Sequence, residues 1–279
     1  MDKLLDLLDY SICKLNTTYA KPRFIWLSLD FRYILSRFEI CTVRQLSQFI
    51  PDIFYFFRET YKSQVFLFPS FTFDFPRSCL FSVFESKPET TAFASRLFRI
   101  GNIPRTVHPF YSFYTTDQAS QGIINHQYYD CVGTNSIFDY LINSNTAILC
   151  IGHHFVKTFT PIHHLEYILG ATYRKPVEFK GTLIGSNNIP ISSSTLFFAR
   201  KQLCKRSGLT YYGESMLSSQ DLSCDIYYEG LKVANACYLS KAASSLLSYP
   251  LGKYISSFSC HAHESKVITN EGADLLFLA

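Results

Sequence analysis

The 279-residue sequence lacks most of the short patterns by which a function is commonly recognised. It has no Walker A loop and no GxSxG motif, so nothing in it supports a P-loop nucleotide site or a serine hydrolase. Its nine cysteines are an odd number, spread singly and without a CxxC pair. We therefore expect buried thiols in a reducing compartment and not a disulfide framework.

Long apolar runs are also missing. No run approaches the roughly 20 residues that a membrane-spanning helix needs. The first residues, MDKLLDLLDYSI, are a short amphipathic pattern with acidic residues and do not resemble a signal peptide. These absences predict a cytoplasmic protein with no membrane partner.

Charge is sparse and weakly biased. Charged residues make up 17% of the chain and the net charge is +4, with no arginine-rich arm and no basic–aromatic repeat. Such a distribution gives no reason to expect a nucleic-acid partner. Hydrophobic residues reach 47%, which is typical of a folded globular protein.

Buried strand patterns alternate with helical patterns along the chain. VFLFPSF and TAILCIG are short apolar runs, as expected for strands buried on both faces. The alternation predicts an α/β layered fold with a mostly parallel or mixed sheet. We expect a single domain over residues 1–279, with an N-terminal helix within 1–21 and a C-terminal part, 183–279, that the patterns describe less well. Within that part, residues 196–209 are predicted to form a helix.

Half of the eight histidines lie in one stretch, HHFVKTFTPIHHLE, residues 153–166. Thr160 is placed to cap a helix that starts at Pro161. His163 and Glu166 are then three residues apart on one helical face. The positive end of the helix dipole favours a neutral imidazole, and a carboxylate orients it, which is what a general base requires. The competing interpretation is a half-buried structural histidine.

A metal site is the weaker hypothesis for these histidines. His153 and His154 are adjacent, so on a strand they point to opposite faces. The HAHE segment, His261–Glu264, can present two histidines on one face. A zinc-dependent hydrolase therefore stays an alternative, although the preferred prediction includes no metal.

Several short motifs occur in an order that resembles the aminoglycoside N3-acetyltransferase family. The resemblance covers residues 22–182 well and the remainder loosely. The motifs are Ser28-Leu29 at a strand end, Pro69–Thr72, Phe98-Arg99, a group made of Arg105, His108, Pro109 and Ser112, then His126, Gly133 with Ser136, Thr160 with His163 and Glu166, and Tyr173-Arg174 followed by Gly181.

This resemblance implies a three-layer α/β/α fold and an enzyme that uses acetyl-CoA. It implies direct transfer of an acetyl group to an amine of an aminoglycoside or another amino sugar, as in antibiotic resistance. His163 then corresponds to the general base and Glu166 to its partner or to an acceptor-binding carboxylate. Thr160 corresponds to a hydroxyl that shapes the site. The small-molecule acceptor is the only partner expected, and a homodimer is left open.

The resemblance also implies which residues face each substrate. Asp74, Glu85 and Asp117 are the acidic candidates for the acceptor side, in a chain that is basic overall. Because carboxylates are few there, an amino sugar of a polysaccharide or glycolipid is an alternative acceptor. A homologue that binds sugar or coenzyme without turnover is the alternative to an enzyme. The residues implied on the coenzyme side are Ser28, Leu29, His108, Pro109, Phe110, Ser112, Gly133 and Ser136.

Overall fold

Helices and short strands alternate through the first two thirds of the chain. The computed structural model describes residues 2–37, 43–116, 121–124, 129–200, 207–209, 215–219, 222–248 and 255–257. The helices are α1 (Asp2–Thr18), α2 (Phe31–Arg37), α3 (Val43–Thr60), α4 (Phe75–Ser78), α5 (Ala92–Ile100), α6 (Gln121–Ile124), α7 (Ile137–Asn143), α8 (Ile162–Ile168) and α9 (Leu239–Leu247), with a 3-10 helix at Phe155–Thr158. The strands are β1 (Phe24–Leu29), β2 (Val65–Pro69), β3 (Leu80–Ser82), β4 (Phe113–Thr115), β5 (Thr146–Ile151), β6 (Arg174–Ile184), β7 (Pro190–Arg200), β8 (Ser207–Leu209), β9 (Ser223–Tyr228), β10 (Leu231–Tyr238) and β11 (Ile255–Ser257).

The central sheet has six strands in the order β4-β2-β1-β5-β10-β9. Strand β1 pairs in parallel with both β2 and β5, whereas β4, β10 and β9 join antiparallel. The sheet is therefore mixed, as predicted. Because β1, β2 and β5 run the same way, their carboxyl ends meet at one edge, where sites of α/β proteins commonly form.

The side chains of the central strands alternate between two cores. In β1, Phe24 and Trp26 belong to one core, with residues of α7, α8 and α9. Ile25 and Leu27 belong to the other, with residues of α1, α2, α3 and α5. Helices thus cover both faces of the sheet, and the predicted three-layer α/β/α fold is confirmed.

A long β-hairpin replaces part of one predicted helix. Strands β6 and β7 pair over eleven positions, from Arg174 opposite Arg200 to Ile184 opposite Pro190, and β3 adds to β6 in parallel. The helix predicted over residues 196–209 is therefore wrong over Leu196–Arg200, because pairing with β6 overrides the local helical periodicity. It is also wrong over Ser207–Leu209, which form β8 and pair with β11. Residues 201–206 lie outside the described part. Gly181 lets β6 pass close to the end of α4, since a Cβ there would come 2.7 Å from the Phe75 ring.

Two helices begin with a side-chain cap. The Thr91 hydroxyl accepts a hydrogen bond from the Ala94 N–H (3.0 Å), and α5 ends at Gly101 with a φ of 71°. The Ser136 hydroxyl accepts one from the Asp139 N–H (3.1 Å) at the start of α7. These caps satisfy backbone donors that the first turn of a helix leaves unpaired.

Two findings concern the cysteines and the apolar character of the helices. Six cysteines are described, all free: Cys131, Cys150 and Cys237 are buried, but Cys13 and Cys79 are exposed. The expectation of buried thiols thus holds for half of those described. Within the described ranges, no helix combines the length and the apolar character needed to cross a membrane.

Candidate active site

The connection from β5 to α8 carries the histidine-rich stretch to the carboxyl edge of the parallel strands. The 3-10 helix Phe155–Thr158 interrupts it, and the backbone N–H of Phe155 donates to Asn235 Oδ1 on β10 at 3.2 Å. His154 Nδ1 accepts from the Val156 N–H at 3.3 Å. His153 and His154 therefore follow the strand and do not lie in it.

Helix α8 begins later than predicted. Its first residue is Ile162, and Pro161 occupies the cap position without a side-chain hydrogen bond. The backbone N–H of Thr160 already donates to the Thr158 carbonyl at 2.8 Å, so Thr160 continues the turn that precedes the helix. The Thr160 carbonyl accepts from the His163 N–H at 3.1 Å. The predicted capping role of the Thr160 hydroxyl is therefore wrong, although the residue remains beside His163.

His163 and Glu166 form a hydrogen-bonded couple on α8. His163 Nδ1 lies 2.9 Å from Glu166 Oε2, and the side chains are 20% and 2% exposed. An ionised carboxylate only accepts hydrogen bonds, so Nδ1 carries the hydrogen. The lone pair is then on Nε2, which leaves that atom as the proton acceptor. The spacing predicted from the sequence thus brings these two residues together.

Two further residues hold the Glu166 carboxylate from the other side. The Tyr173 hydroxyl donates to Oε1 at 2.8 Å. Arg174 Nε lies 2.6 Å from Oε2, and Arg174 Nη1 donates to the Phe198 carbonyl at 3.1 Å. Sequence reasoning placed Tyr173-Arg174 in a motif but assigned neither a role. The signal was their position seven and eight residues after Glu166, where a tight turn returns the chain to the helix.

The electrostatics of the couple favour a neutral imidazole beside an ionised carboxylate. Burial lowers the pKa of His163, Arg174 lowers it further, and Glu166 opposes both. Burial alone would raise the pKa of Glu166, but His163, Arg174 and Tyr173 together hold it below its usual value. The neutral His163 predicted from the helix dipole is therefore explained mainly by burial and by Arg174.

The adjacent His164 faces a different neighbour. Its Nδ1 lies 3.2 Å from the Ser136 hydroxyl and its Nε2 lies 3.6 Å from Asp139 Oδ1 at the start of α7. Burial lowers its pKa, and Asp139 opposes that effect. His164 thus joins α8 to the start of α7, which is a structural role.

The segment 108–112 predicted on the coenzyme side is buried and internally bonded. His108 Nδ1 accepts from the N–H groups of Phe110 and Tyr111 at 3.0 and 2.8 Å, and its Nε2 lies 3.2 Å from the Asp130 carbonyl. Burial lowers the pKa of His108 to about 4. The Pro109 carbonyl accepts from Thr72 Oγ1 at 2.8 Å. Since both ring nitrogens of His108 are engaged in hydrogen bonds, the residue fixes the backbone conformation of this segment.

Ser112 takes part in a buried arginine cluster. Its hydroxyl donates to the Ser70 carbonyl at 2.8 Å and accepts from Arg105 Nε at 3.1 Å. Arg105 also donates to the Ser70 carbonyl at 2.7 Å and to the Ser86 carbonyl. This cluster joins the end of β2 to the segment before β4.

The remaining coenzyme-side candidates lie in different environments. Ser28 and Leu29 end β1 opposite Cys150 and Ile151, but Leu29 packs against the α1–α3 core. Ser28, one position earlier, faces the α7–α8 side by strand alternation. Gly133 has a φ of 85°, and its carbonyl accepts from the Ser136 hydroxyl at 2.7 Å. The structure therefore brings Gly133 and Ser136 next to α8 through His164 and separates Leu29 from them.

The acidic acceptor-side candidates lie at the surface where they are described. Asp74 is exposed and its Oδ1 lies 3.1 Å from Arg77 Nε. Glu85 is exposed as well. Asp117, His126 and the HAHE segment lie outside the described residues. Across the described residues, no group of three or more His, Cys, Asp or Glu side chains could hold a metal ion.

Several solved structures have a similar fold, and some of them are named as aminoglycoside acetyltransferases. The chain is similar to AAC-IIIb in its binary complex with CoASH, with a TM-score of 0.59, 11% identity and coverage of 86% of this chain and 93% of that one. It is also similar to a mutant of aminoglycoside acetyltransferase AAC(3)-IVa in complex with a gentamicin. The TM-score is 0.54, the identity is 16%, and the match covers 88% of this chain and 86% of that one. The YokD protein from Bacillus subtilis matches with a TM-score of 0.54 and 14% identity, over 81% of this chain and 86% of that one. At such low sequence identities, the structural similarity shows the fold alone.

A family model matches part of the chain. Residues 89–197 match the family model described as Aminoglycoside 3-N-acetyltransferase, a span that includes His163, Glu166 and Arg174. The resemblance inferred from the motifs is therefore confirmed over this part of the chain. No curated protein sequence matches the chain.

Proposed function

We propose that this protein is an N-acetyltransferase that moves the acetyl group of acetyl-CoA directly to the amine of an amino sugar, with His163 as general base. The observation that carries the proposal is the His163–Glu166 couple at the carboxyl edge of the parallel strands, with Nδ1 held 2.9 Å from the carboxylate. The CoASH complex of AAC-IIIb and the gentamicin complex of AAC(3)-IVa support the donor and the acceptor class.

The donor set of the site fits a thioester and an amine that react directly. Acetyl-CoA supplies the acetyl group as a thioester. The cysteine closest in sequence to α8, Cys150, is buried, and burial raises the pKa of its thiol to about 12. Such a thiol is a poor nucleophile, which argues against an acetylated enzyme. Direct transfer between two bound substrates is the route that remains supported.

His163 would take up one proton during the transfer. As the amine nitrogen attacks the thioester carbonyl, Nε2 accepts a proton from that nitrogen, and the bond to the coenzyme sulfur breaks to release a thiolate. The imidazolium then returns the proton, so that coenzyme A leaves as the thiol. Glu166 stabilises the imidazolium that forms, and Tyr173 and Arg174 keep Glu166 in place. Such base catalysis contributes about 10²–10⁴-fold to the rate, and holding both reactants in register contributes more.

The other sequence-predicted residues enter the proposal as supports of the two substrate sides. Ser28, Gly133, Ser136 and the segment 108–112 are proposed to shape the coenzyme side, with Thr160 beside the base. Leu29 and Asp74 remain proposals of the resemblance alone, since Leu29 packs into the opposite core and Asp74 pairs with Arg77. A single domain over residues 1–279 belongs to the same proposal, and a homodimer stays a prediction.

Thiol release tests the function. The protein is mixed with acetyl-CoA and, separately, gentamicin, glucosamine and a simple alkylamine, and free thiol is followed by a colour reagent. We expect release with at least one amino sugar and a loss of about 10²–10⁴-fold in the His163→Gln variant. The control is Arg58→Gln, because Arg58 lies on α3, on the opposite face of the sheet; it should retain transfer of the same order as the unchanged protein.

Calorimetry separates the remaining outcomes. Acetyl-CoA binding without thiol release from any amine would indicate a binding homologue. A folded His163→Gln variant with full transfer activity would remove His163 as the base. Folding of both variants is checked by circular dichroism.

A further inference from the structure

Arg174 is the cation bound to the carboxylate of the proposed catalytic couple. Its Nε lies 2.6 Å from Glu166 Oε2, the oxygen that also receives His163 Nδ1 at 2.9 Å. The arginine side chain is 10% exposed and the glutamate 2%, so water screens this contact weakly. The guanidinium Nη1 donates to the Phe198 carbonyl on β7 at 3.1 Å and so anchors the side chain. Arg174, Glu166 and His163 are thus joined in one buried chain of contacts.

We propose that Arg174 is a positioning residue that, by neutralising Glu166, keeps the His163–Glu166 couple free of an extra proton at neutral pH. The inference rests on the proposed role of His163 as a base. It adds a residue whose effect on the base passes through the carboxylate.

The charge balance gives the direction of the effect. With Arg174 present, a proton added to the couple creates a net positive cluster in a buried place, which is unfavourable. Without Arg174, the couple carries an uncompensated negative charge and binds a proton more tightly. This holds whether the proton lies on His163 or on Glu166, because the two groups titrate together. Loss of the cation would therefore keep the base occupied to higher pH.

Other ionisable groups lie near the His163–Glu166 couple, and each affects its electrostatics. Arg200, opposite Arg174 on β7, lowers the pKa of His163 more weakly than Arg174 does. Tyr173 donates to Glu166, and burial raises the pKa of Tyr173, so it stays neutral. Burial likewise raises the pKa of Tyr111, which interacts with Glu166 and Arg174. Arg174 is thus the cation with the larger effect on His163.

The test follows the titration of His163 directly. Protein labelled with ¹⁵N-histidine is titrated by NMR, with the His163 signals assigned from the spectrum of His163→Gln. Arg174→Gln is expected to move the midpoint of the His163 titration upward by about one pH unit. Arg174→Lys keeps the charge and should restore most of that shift. Arg58→Gln is the matched control, because it removes the same charge from α3 on the opposite face of the sheet.

The pH profile of transfer supplies a second readout. The acidic limb of kcat should move upward with the NMR midpoint in Arg174→Gln and stay in place in Arg58→Gln. In a Glu166→Gln background, Arg174→Gln should shift the midpoint far less, since its effect passes through the carboxylate.

Each outcome decides for or against the proposal. A folded Arg174→Gln variant whose midpoint stays at that of the unchanged protein would overturn it. If Arg174→Gln does not fold, a second neutral replacement, Arg174→Met, decides: a midpoint raised by about one pH unit supports the charge argument, and an unchanged midpoint contradicts it. The NMR titration needs no turnover. Absence of acetyl transfer with an intact midpoint shift would therefore refute the proposed function and leave the role of Arg174 standing.

Discussion

Two regions of this protein each combine a histidine and an arginine, but the contacts of the basic side chains differ. His108 and Arg105 are buried, whereas His163 and Arg174 are partly buried, with side chains 20% and 10% exposed. In the segment 105–112, His108 has both ring nitrogens engaged by backbone groups. Arg105 donates to serine hydroxyls and backbone carbonyls. At the start of α8, by contrast, His163 and Arg174 meet at one oxygen of Glu166.

The difference between the regions is the acceptor that the basic side chains contact. Neutral oxygens around Arg105 satisfy its donors and leave nothing that can exchange a proton near neutral pH. Glu166 instead orients His163 through Nδ1 and frees Nε2. A buried histidine is therefore a structural clamp when both its nitrogens are occupied, and a candidate base when a carboxylate occupies one.

The clamp region should show the largest effect on stability. Arg105→Met removes the donor shared by Ser70 and Ser112 and leaves buried acceptors unpaired. We expect the free energy of unfolding to fall by about 3 kcal/mol, measured by urea denaturation. Arg58→Met, a half-buried arginine on α3, is the control and should change it by about 0.5 kcal/mol or less. A loss equal to that of the control would show that the Arg105 cluster is not a clamp.

Acid should loosen the clamp through His108. Its pKa is about 4 in the folded protein and 6.5 when unperturbed, so the unfolded chain takes up the proton first. Stability is then present above pH 6.5 and is lost as the pH falls toward 4. Between pH 7 and 4.5 we expect His108 to account for a loss of about 2 kcal/mol.

His108→Asn isolates that contribution from the other histidines. The asparagine Oδ1 can accept the same two backbone N–H groups as Nδ1 but does not titrate. Urea denaturation at both pH values should therefore show a smaller acid loss in the variant. An identical acid loss in both proteins would mean that His108 is already protonated or exposed in the fold.

The smallest expected effect concerns the base region. Tyr173→Phe removes one of the three groups that hold Glu166 and leaves His163 and Arg174 in place. We expect thiol release to fall by about tenfold, as for one hydrogen bond to a charged group, with little change in stability. Tyr167→Phe is the control, because that ring packs on Phe198. Equal rates for the two variants would show that Tyr173 does not support the base.

Features that depend only on neighbouring residues, such as helix caps and the spacing of residues on one helix, can be read from short stretches of the sequence. Thr91 and Ser136 cap their helices because a side-chain oxygen next to the first turn suffices. The spacing of His163 and Glu166 places both on one helical face wherever the helix lies. Thr160 failed as a cap because a 3-10 turn that the sequence pattern does not announce already engages its backbone.

Contacts distant in sequence were not predicted. The helix expected over residues 196–209 gave way to β7 where eleven pairings with β6 compete with local propensity. The same hairpin brings Phe198 to Arg174. His108 belongs to the motif that suggested a coenzyme contact. Only the fold shows that its Nε2 lies within hydrogen-bond distance of the Asp130 carbonyl.

The sequence by itself determined the layered α/β class, the family resemblance and the His163–Glu166 pair, because alternation, motif order and helical spacing are properties of short segments. The tertiary structure decided which histidine has a ring nitrogen oriented by a carboxylate and is thus the candidate base. That depends on burial and on the charges that surround each ring, and those arise only when β6 returns Arg174 to the carboxylate of α8.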